Sequence, residues 1–266
     1  MINHMKIKFW GARGSIAAPI TPAQVEEKIV GALLEARGKK LNTPKAVRRY
    51  VSKLPPHKRG TIGGNTSCIE VQADGQHFIL DCGSGIRGLG MRMMSEEFGQ
   101  GKGLAQIFMT HTHWDHICGF PFFIPAFIPG NRINIHGVHE DLKKRFENQH
   151  HPYNFPVPMD IMASDIRFVK LTDGRQRRFG EVRIKPIELN HPGRAFGYKI
   201  EHGGKVFIYA SDSSYNRFDD DHMKPYYSQF HGCDALVFDA YFGLKESFEK
   251  ADWGHSTPFI GVDIAI

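Results

Sequence analysis

The run Ala105-Gln106-Ile107-Phe108-Met109-Thr110 leads directly into His111-Thr112-His113-Trp114-Asp115-His116. The first half is short and mostly apolar, which predicts a buried strand over Ala105–Thr110. The second half sets three imidazoles and a carboxylate within six residues. That is a dense set of nitrogen and oxygen donors, of the kind Zn²⁺-like ions take. His111 and His113, two apart, can point the same way off the strand end. Asp115 and His116 lie past the turn and can face a second ion. A chance cluster of surface histidines is the plain alternative, but 15 His in 266 residues seldom produce this spacing.

Outward from this stretch, Arg132–His136, Ile166–Leu171, Val182–Leu189, Phe196–Glu201, Val206–Ala210 and Ala235–Ala240 read as strands, with a short helix over Asp141–Asn148. Upstream, Ser67–Gln72 and His77–Asp81 read as a hairpin around Asp74-Gly75, followed by a helix over Ile86–Glu97. Lys6–Trp10 reads as the first strand, ending in the turn Gly11-Ala12-Arg13-Gly14-Ser15. Between them, Val25, Ile29, Leu33 and Ala36 recur at helical spacing, and Val47, Tyr50, Val51 and Leu54 form a second apolar face stopped by Pro55-Pro56. Residues 22–59 therefore read as a helical pair inserted into a strand-rich region. Neither a repeat nor a low-complexity linker divides the chain, so residues 1–266 are expected to form a single layered α/β domain.

The composition is 41% hydrophobic and 23% charged, that of an ordinary globular chain. The least polar stretch, Ile117 to Gly130, is cut by Pro121, Pro125 and Pro129, which argues against a membrane helix. The N-terminus lacks a signal peptide's apolar core. Four scattered cysteines, with no CxxC pair, fit a reducing cytoplasm and leave metal binding to histidine. The formal charge of +6 is uneven: residues 22–59 hold ten Lys and Arg against three Glu, more than the whole excess. Such a patch can gather anionic substrates, and a solvated helix face accounts for it equally well.

With these motifs in order, the chain resembles the metallo-β-lactamase superfamily, and within it the branch of phosphodiesterases and ribonuclease Z. The pieces that carry the resemblance are GGNTSC (Gly63–Cys68), LDCGSG (Leu80–Gly85), HTHWDH (His111–His116), NHPGRAFGY (Asn190–Tyr198), YASDS (Tyr209–Ser213), VFDAYF (Val237–Phe242) and WGHSTP (Trp253–Pro258). The resemblance implies a four-layer αββα sandwich, with the helical insertion near its N-terminus. It implies two divalent metal ions, zinc first and manganese or iron as alternatives. One would be held by His111, His113 and His191, a second by Asp115 and His116, and Asp212 would bridge them. Such ions would share a hydroxide for in-line attack on phosphorus. Asp115, Asp239 and His255 would be catalytic, with the Asp239 carboxylate orienting His255 as proton donor to the leaving oxygen. Asp81 would hold a ligand imidazole, although a turn role before Gly83 also explains it. Gly63 and Gly64 would let a loop approach closely, which turn chemistry explains nearly as well.

Other residues have bland readings. His136 and His139 fail the HExxH spacing, and His57, His150 and His151 have no partners by pattern. Phe120, Phe122, Phe123 and Phe127 can be core or pocket wall, and Arg194 can reach a phosphate or solvent. The family pattern carries a further strand and histidine after the GHST element; here the apolar run Phe259–Ile266 resembles a helix cut short, and a shortened C-terminus is expected, with one sheet edge uncovered. The leading expectation is a metal-dependent hydrolase cleaving a small or cyclic nucleotide-like phosphodiester. The alternatives are a ribonuclease Z-like RNA endonuclease, a lactone or thioester hydrolase, and a catalytically impaired metal-binding module. RNA and a second copy of the chain stand as candidate partners, and no membrane does. Transfer RNA processing in the family it resembles uses an arm between the His191 and Asp212 positions, and with these only 21 positions apart here there is no room for one.

Overall fold

Hydrophobic alternation and its absence sort the strands into layers. In Gln76–Leu80, Phe78 and Leu80 point to one face and Ile79 to the other, and all three are buried. A strand buried on both faces needs cover on both sides. The computed structural model, which describes residues 4–61, 63–215 and 220–265, provides it. One sheet runs in the order β1 (Lys6–Gly11), β2 (Cys68–Ala73), β3 (Gln76–Leu80), β4 (Leu104–Phe108), β5 (Arg132–Gly137) and β6 (Asp165–Lys170). Its first pairings are antiparallel and those from β3 to β6 are parallel. The second sheet runs from β7 (Arg177–Phe179) through β8 (Val182–Leu189), β9 (Ala195–His202) and β10 (Lys205–Ala210) to β11 (Ala235–Phe238). Only β10 and β11 are parallel there.

Between the sheets lies a core of Ile69, Val71, Phe78, Leu80 and Phe108 against Val182, Ile184, Tyr198, Ile200, Phe207 and Tyr209. The outer face of the first sheet, with Ile79, Ile107 and Ile133, is covered by helices that contribute Leu89, Met93 and Phe146. The outer face of the second, with Ile208 and Ala210, is covered by Met223, Phe230, Ile260 and Ile264. Helix, sheet, sheet, helix: this is the expected αββα sandwich.

The helices are α1 (Pro22–Glu35), α2 (Pro44–Lys53), α3 (Pro56–Arg59), α4 (Gly85–Met93), α5 (Trp114–Ile117), α6 (Leu142–Gln149), α7 (Asp220–Phe230), α8 (Leu244–Glu249) and α9 (Pro258–Ala265). Thr21 and Thr43 cap α1 and α2, each with proline at the first helical position, so local chemistry defines these two helices. Their apolar periodicity marks the helices without burying them. No residue of α1, α2 or α3 is buried; Ile29 and Leu33 lie more than half exposed. The segment packs on itself, through α1 against α3 and the Tyr50 hydroxyl on the Ala32 carbonyl at 3.1 Å. It connects β1 and β2, which pair directly with each other.

Several boundaries shift for identifiable reasons. The strand read as Ala235–Ala240 stops at Phe238, because the Asp239 carboxylate turns back to accept the backbone N–H of Tyr241 at 3.0 Å. The helix read to Glu97 stops at Met93, and Glu97–Gln100 forms a 3₁₀ turn closed by Gly101 at φ +70°. β7, α3, α7 and α8 have no strong periodicity, and sequence patterning did not foresee them. No helix of the described residues is long and apolar enough to cross a membrane.

One buried charge belongs to the scaffold. Glu70 on β2 is only 2% exposed and accepts from Trp10 Nε1 at 2.9 Å, from His77 Nδ1 at 3.0 Å and from the Arg92 guanidinium. Burial alone would raise its carboxyl, but the hydrogen bonds from His77 and Trp10 and the Arg92 charge outweigh it and hold it below its ordinary value of 4.5. A carboxyl that titrates lower when folded adds stability that is complete above the unfolded value and is lost as pH falls through the folded one. Glu70→Gln should therefore cost about 2 kcal/mol at pH 7. That deficit should shrink steadily below pH 4.5, as read from urea unfolding of the two proteins across that range.

Candidate metal centre

The strands deliver their chemistry at one rim of the sandwich. The His111–His116 loop follows β4, His191 follows β8, Asp212 follows β10 and Asp239 follows β11, while His255 precedes α9. Their donor atoms converge. His111, His113, His191 and Asp212 each offer a ligand atom within 4.8 Å of the others, as do Asp115, His116 and Asp212, and also Asp212, Asp239 and His255. Asp212 is common to all three groups. Its Oδ2 lies 3.2 Å from His116 Nε2, 3.7 Å from His111 Nε2 and 3.8 Å from His191 Nε2.

The imidazoles are aimed from behind. Asp81, fully buried, takes His116 Nδ1 at 2.8 Å, the Thr110 N–H at 2.8 Å and the hydroxyls of Thr110 and Tyr209 at 2.9 Å. His111 Nδ1 meets the Thr110 hydroxyl at 3.0 Å, and His191 Nδ1 donates to the Gly254 carbonyl at 2.8 Å. With each Nδ1–H directed at an acceptor, each Nε2 presents its lone pair to the cluster. The Nε2 atoms of His111 and His116 are buried and have no hydrogen-bond partner. Buried nitrogen lone pairs facing a shared carboxylate are a donor set that suits a divalent cation with nitrogen and oxygen ligands. The residues fit a metal.

The electrostatics agree. Burial, reinforced by His116, pushes the His111 imidazole well below its ordinary value, so it is a neutral donor. Burial opposes charge on His116 too, yet Asp212 and Asp81 overcome it and raise that group well above the usual imidazole range, so its Nε2 presents a lone pair only once a cation displaces the proton. Burial would likewise raise Asp212, but His116, His111 and His255 hold it far below the carboxylate range. The cluster stabilises positive charge at its middle.

Beside it, His255 Nδ1 lies 2.8 Å from Asp239 Oδ2, and Asp239 also accepts the Ser213 N–H at 3.1 Å. Burial lowers His255, but the Asp239 hydrogen bond and the surrounding carboxylates outweigh it and favour the imidazolium. Asp212, Asp239, His255, Tyr241, Arg13 and Gly63 line a cleft of about 610 Å³.

Four positions carry parts that the sequence did not announce. The Ser15 N–H donates to Asp115 Oδ2 at 2.7 Å, from a residue held at φ +67°. Thr110 and Tyr209 serve Asp81, and the two-residue alternation of their strands was the available signal. Gly254, at φ +78°, presents its carbonyl to His191; a Cβ there would meet Pro192 Cδ at 2.2 Å and His191 Nδ1 at 2.7 Å. Of the open alternatives, Phe120 and Phe123 are core, Phe127 packs at its edge and Phe122 is half-exposed. Arg194 pairs with Glu188 at 2.7 Å on the surface. His136 is buried against Phe108 and bonds Gln106, outside the cluster. Gly63 sits at φ +65° on the cleft, while Gly64 packs against the Ala18 carbonyl.

Asp81→Asn should weaken zinc binding about 10–100-fold, because the amide holds His116 less firmly and makes it a poorer ligand. Competition against a zinc chelator measures this, with the wild-type far-UV spectrum as the folding check.

The chain is 28% identical over 148 residues to ribonuclease Z of Haloarcula marismortui, covering 53% of this chain and 43% of that one. It spans less than half the length of that relative. Among solved structures it is similar to the short form of human tRNase Z, with 16% identity, a TM-score of 0.59, and 97% and 86% of the two chains covered. A diphosphatase of the PhnP family superposes with 19% identity and a TM-score of 0.57 over 98% and 82% of the chains. These two likenesses establish the fold. A family model for the beta-lactamase superfamily domain matches residues 76–265, the segment from which every clustered imidazole and carboxylate comes, and the chain belongs to that superfamily.

Proposed function

We propose that the protein is a metal-dependent hydrolase of phosphodiester bonds, acting on a small or cyclic nucleotide-like substrate. The observation that carries this reading is the convergence of three imidazole Nε2 atoms on Asp212 Oδ2, at 3.2–3.8 Å, beside the Asp239–His255 pair. His111, His113 and His191 would hold one divalent ion, Asp115 and His116 a second, and Asp212 both. When bound, such a pair, zinc first and manganese or iron next, polarises phosphoryl oxygens and eases ionisation of water.

The chain's own groups do the rest. Asp115 Oδ2, oriented by the Ser15 N–H, can accept a proton from the attacking water. His255 has Nδ1 committed to Asp239, so its Nε2–H is the proton available to the leaving oxygen, and Asp239 fixes that tautomer. A protonated imidazole is most useful to an alkoxide leaving group, which favours a phosphodiester over a lactone or thioester.

A second reading, an RNA endonuclease like ribonuclease Z, has one observation in its favour. A cavity of about 500 Å³ between the N-terminal loop, α1 and α3 is lined by Arg13, Lys28, His57 and Lys58. Arg13 and Gly63 line both this cavity and the cleft, so the basic segment 22–59 adjoins the site. Against it, β9 and β10 fill the interval from His191 to Asp212 with a turn at Gly203-Gly204, and no arm stands there. Within the proposal the chain acts as one metallo-hydrolase domain with 22–59 as its insertion. Its four free cysteines suit the cytoplasm.

Metal analysis with turnover of bis(p-nitrophenyl) phosphate tests the reading. The wild type should carry about two equivalents of metal, and His113→Ala should lose metal and at least a hundredfold in turnover. One equivalent or none, without turnover, would mean an impaired metal-binding module. His255→Ala should slow diesters with alkoxide leaving groups about 10²–10⁴-fold, and p-nitrophenolate release much less. Equal losses on both would remove the proton-donor role.

A further inference from the structure

The loop that carries the metal motif has a second concavity on its other side. About 670 Å³ of space opens between α5, the turns that follow it and the segment from α6 to Phe155. Its walls are aromatic, formed by Trp114, Phe122, Tyr153 and Phe155. Trp114 is 85% exposed and Tyr153 94% exposed. Rings this open normally scatter singly over a surface; gathered around one cavity, they offer stacking faces, although the His151 ring lies 4.8 Å from Tyr153, tilted by 46°. Phe122 meets Phe155 edge-on, with centroids 5.5 Å apart at 82°, so that wall is braced.

The floor is polar. Gln149 Nε2 donates to the Ile117 carbonyl at 2.8 Å, which fixes the amide's orientation and leaves Oε1 buried with no partner. Arg145 donates from Nε to Asp141 at 2.8 Å and from a terminal nitrogen to the Thr112 hydroxyl at 3.0 Å. Its guanidinium is thereby held against the metal-motif loop. An alkyl chain would gain from the walls but would leave the amide side chains of the lining, Asn148, Gln149 and Asn154, without partners in it. A planar heterocycle with N–H groups on its edge satisfies both, and the volume lies within the range of small-ligand pockets.

We propose that this pocket binds a nucleobase, stacked on Trp114 and Tyr153 with its hydrogen-bonding edge toward the amide lining of Asn148, Gln149 and Asn154. Trp114 stands between His113 and Asp115 in the chain, so a base bound there bears on the loop that carries candidate metal ligands. The pocket's ligand class does not depend on the phosphodiesterase reading. The base belongs either to a free nucleotide or to a strand, and the chemistry in the pocket is the same.

The test is binding by the protein as isolated, followed by calorimetry. AMP should bind about tenfold or more tightly than ribose 5-phosphate, the gain that stacking one base supplies. The ratio should fall toward one in Trp114→Ala and in Tyr153→Ala; the second change lies on an exposed loop well clear of the ligands in sequence. A triadenylate against its abasic counterpart identifies the source. A gain for AMP assigns a free nucleotide, and a gain for the trinucleotide alone assigns a strand. No gain for either in the wild type, or a gain kept in both variants, overturns the proposal. Turnover of methyl p-nitrophenyl phosphate, which has no base, reports the phosphodiesterase reading separately. Its absence with the AMP preference intact would sink that reading and leave the pocket standing.

Discussion

A carboxylate taken out of water stays charged only where positive charge or proton donors surround it, and Asp212 is such a group. Three imidazole nitrogens from two sheets face the same oxygen. Left to itself, the buried His111 Nε2 stands without a partner, and His116 must hold a proton beside the carboxylate. A cation resolves both problems together. The rest of the molecule can be understood as the means of bringing those atoms into one place and keeping water from doing the cation's work.

That task falls on a few contacts across the seam between the sheets. Tyr209, from β10, reaches Asp81 at the end of β3, and the Tyr198 hydroxyl on β9 donates to the Met109 carbonyl after β4 at 2.6 Å. Both phenols are buried, and burial raises each well above its ordinary value, so they remain donors. Asp81 sits at φ +61°, an unfavourable conformation for a residue with a Cβ. Four hydrogen-bonding groups hold it there. The backbone strain is local, and what it secures is the direction of His116.

The legibility of this arrangement in the sequence follows the range of the interactions. HTHWDH declares itself because its donors are neighbours in the chain. His191, Asp212, Asp239 and His255 were readable only through the order of motifs, since each alone is an ordinary turn residue. The strands from β2 to β11 were mostly legible because burial on one or both faces leaves apolar alternation or apolar runs. β7, with Arg177 and Arg178 exposed, has none. In residues 22–59, Val25, Ile29 and Leu33 keep the helical periodicity that marks α1, yet the face they form is open. Ser15 and Gly254 act through backbone atoms, which no side-chain pattern encodes.

The Gly254 carbonyl receives His191, and the next residue is His255, bonded to Asp239. The partner of one clustered imidazole and a second imidazole of the cleft are thus adjacent residues just ahead of α9. On the proposed reading, a displacement of that short helix would disturb the metal ligand and the proton donor together, and the peptide before α9 would act as a latch on both.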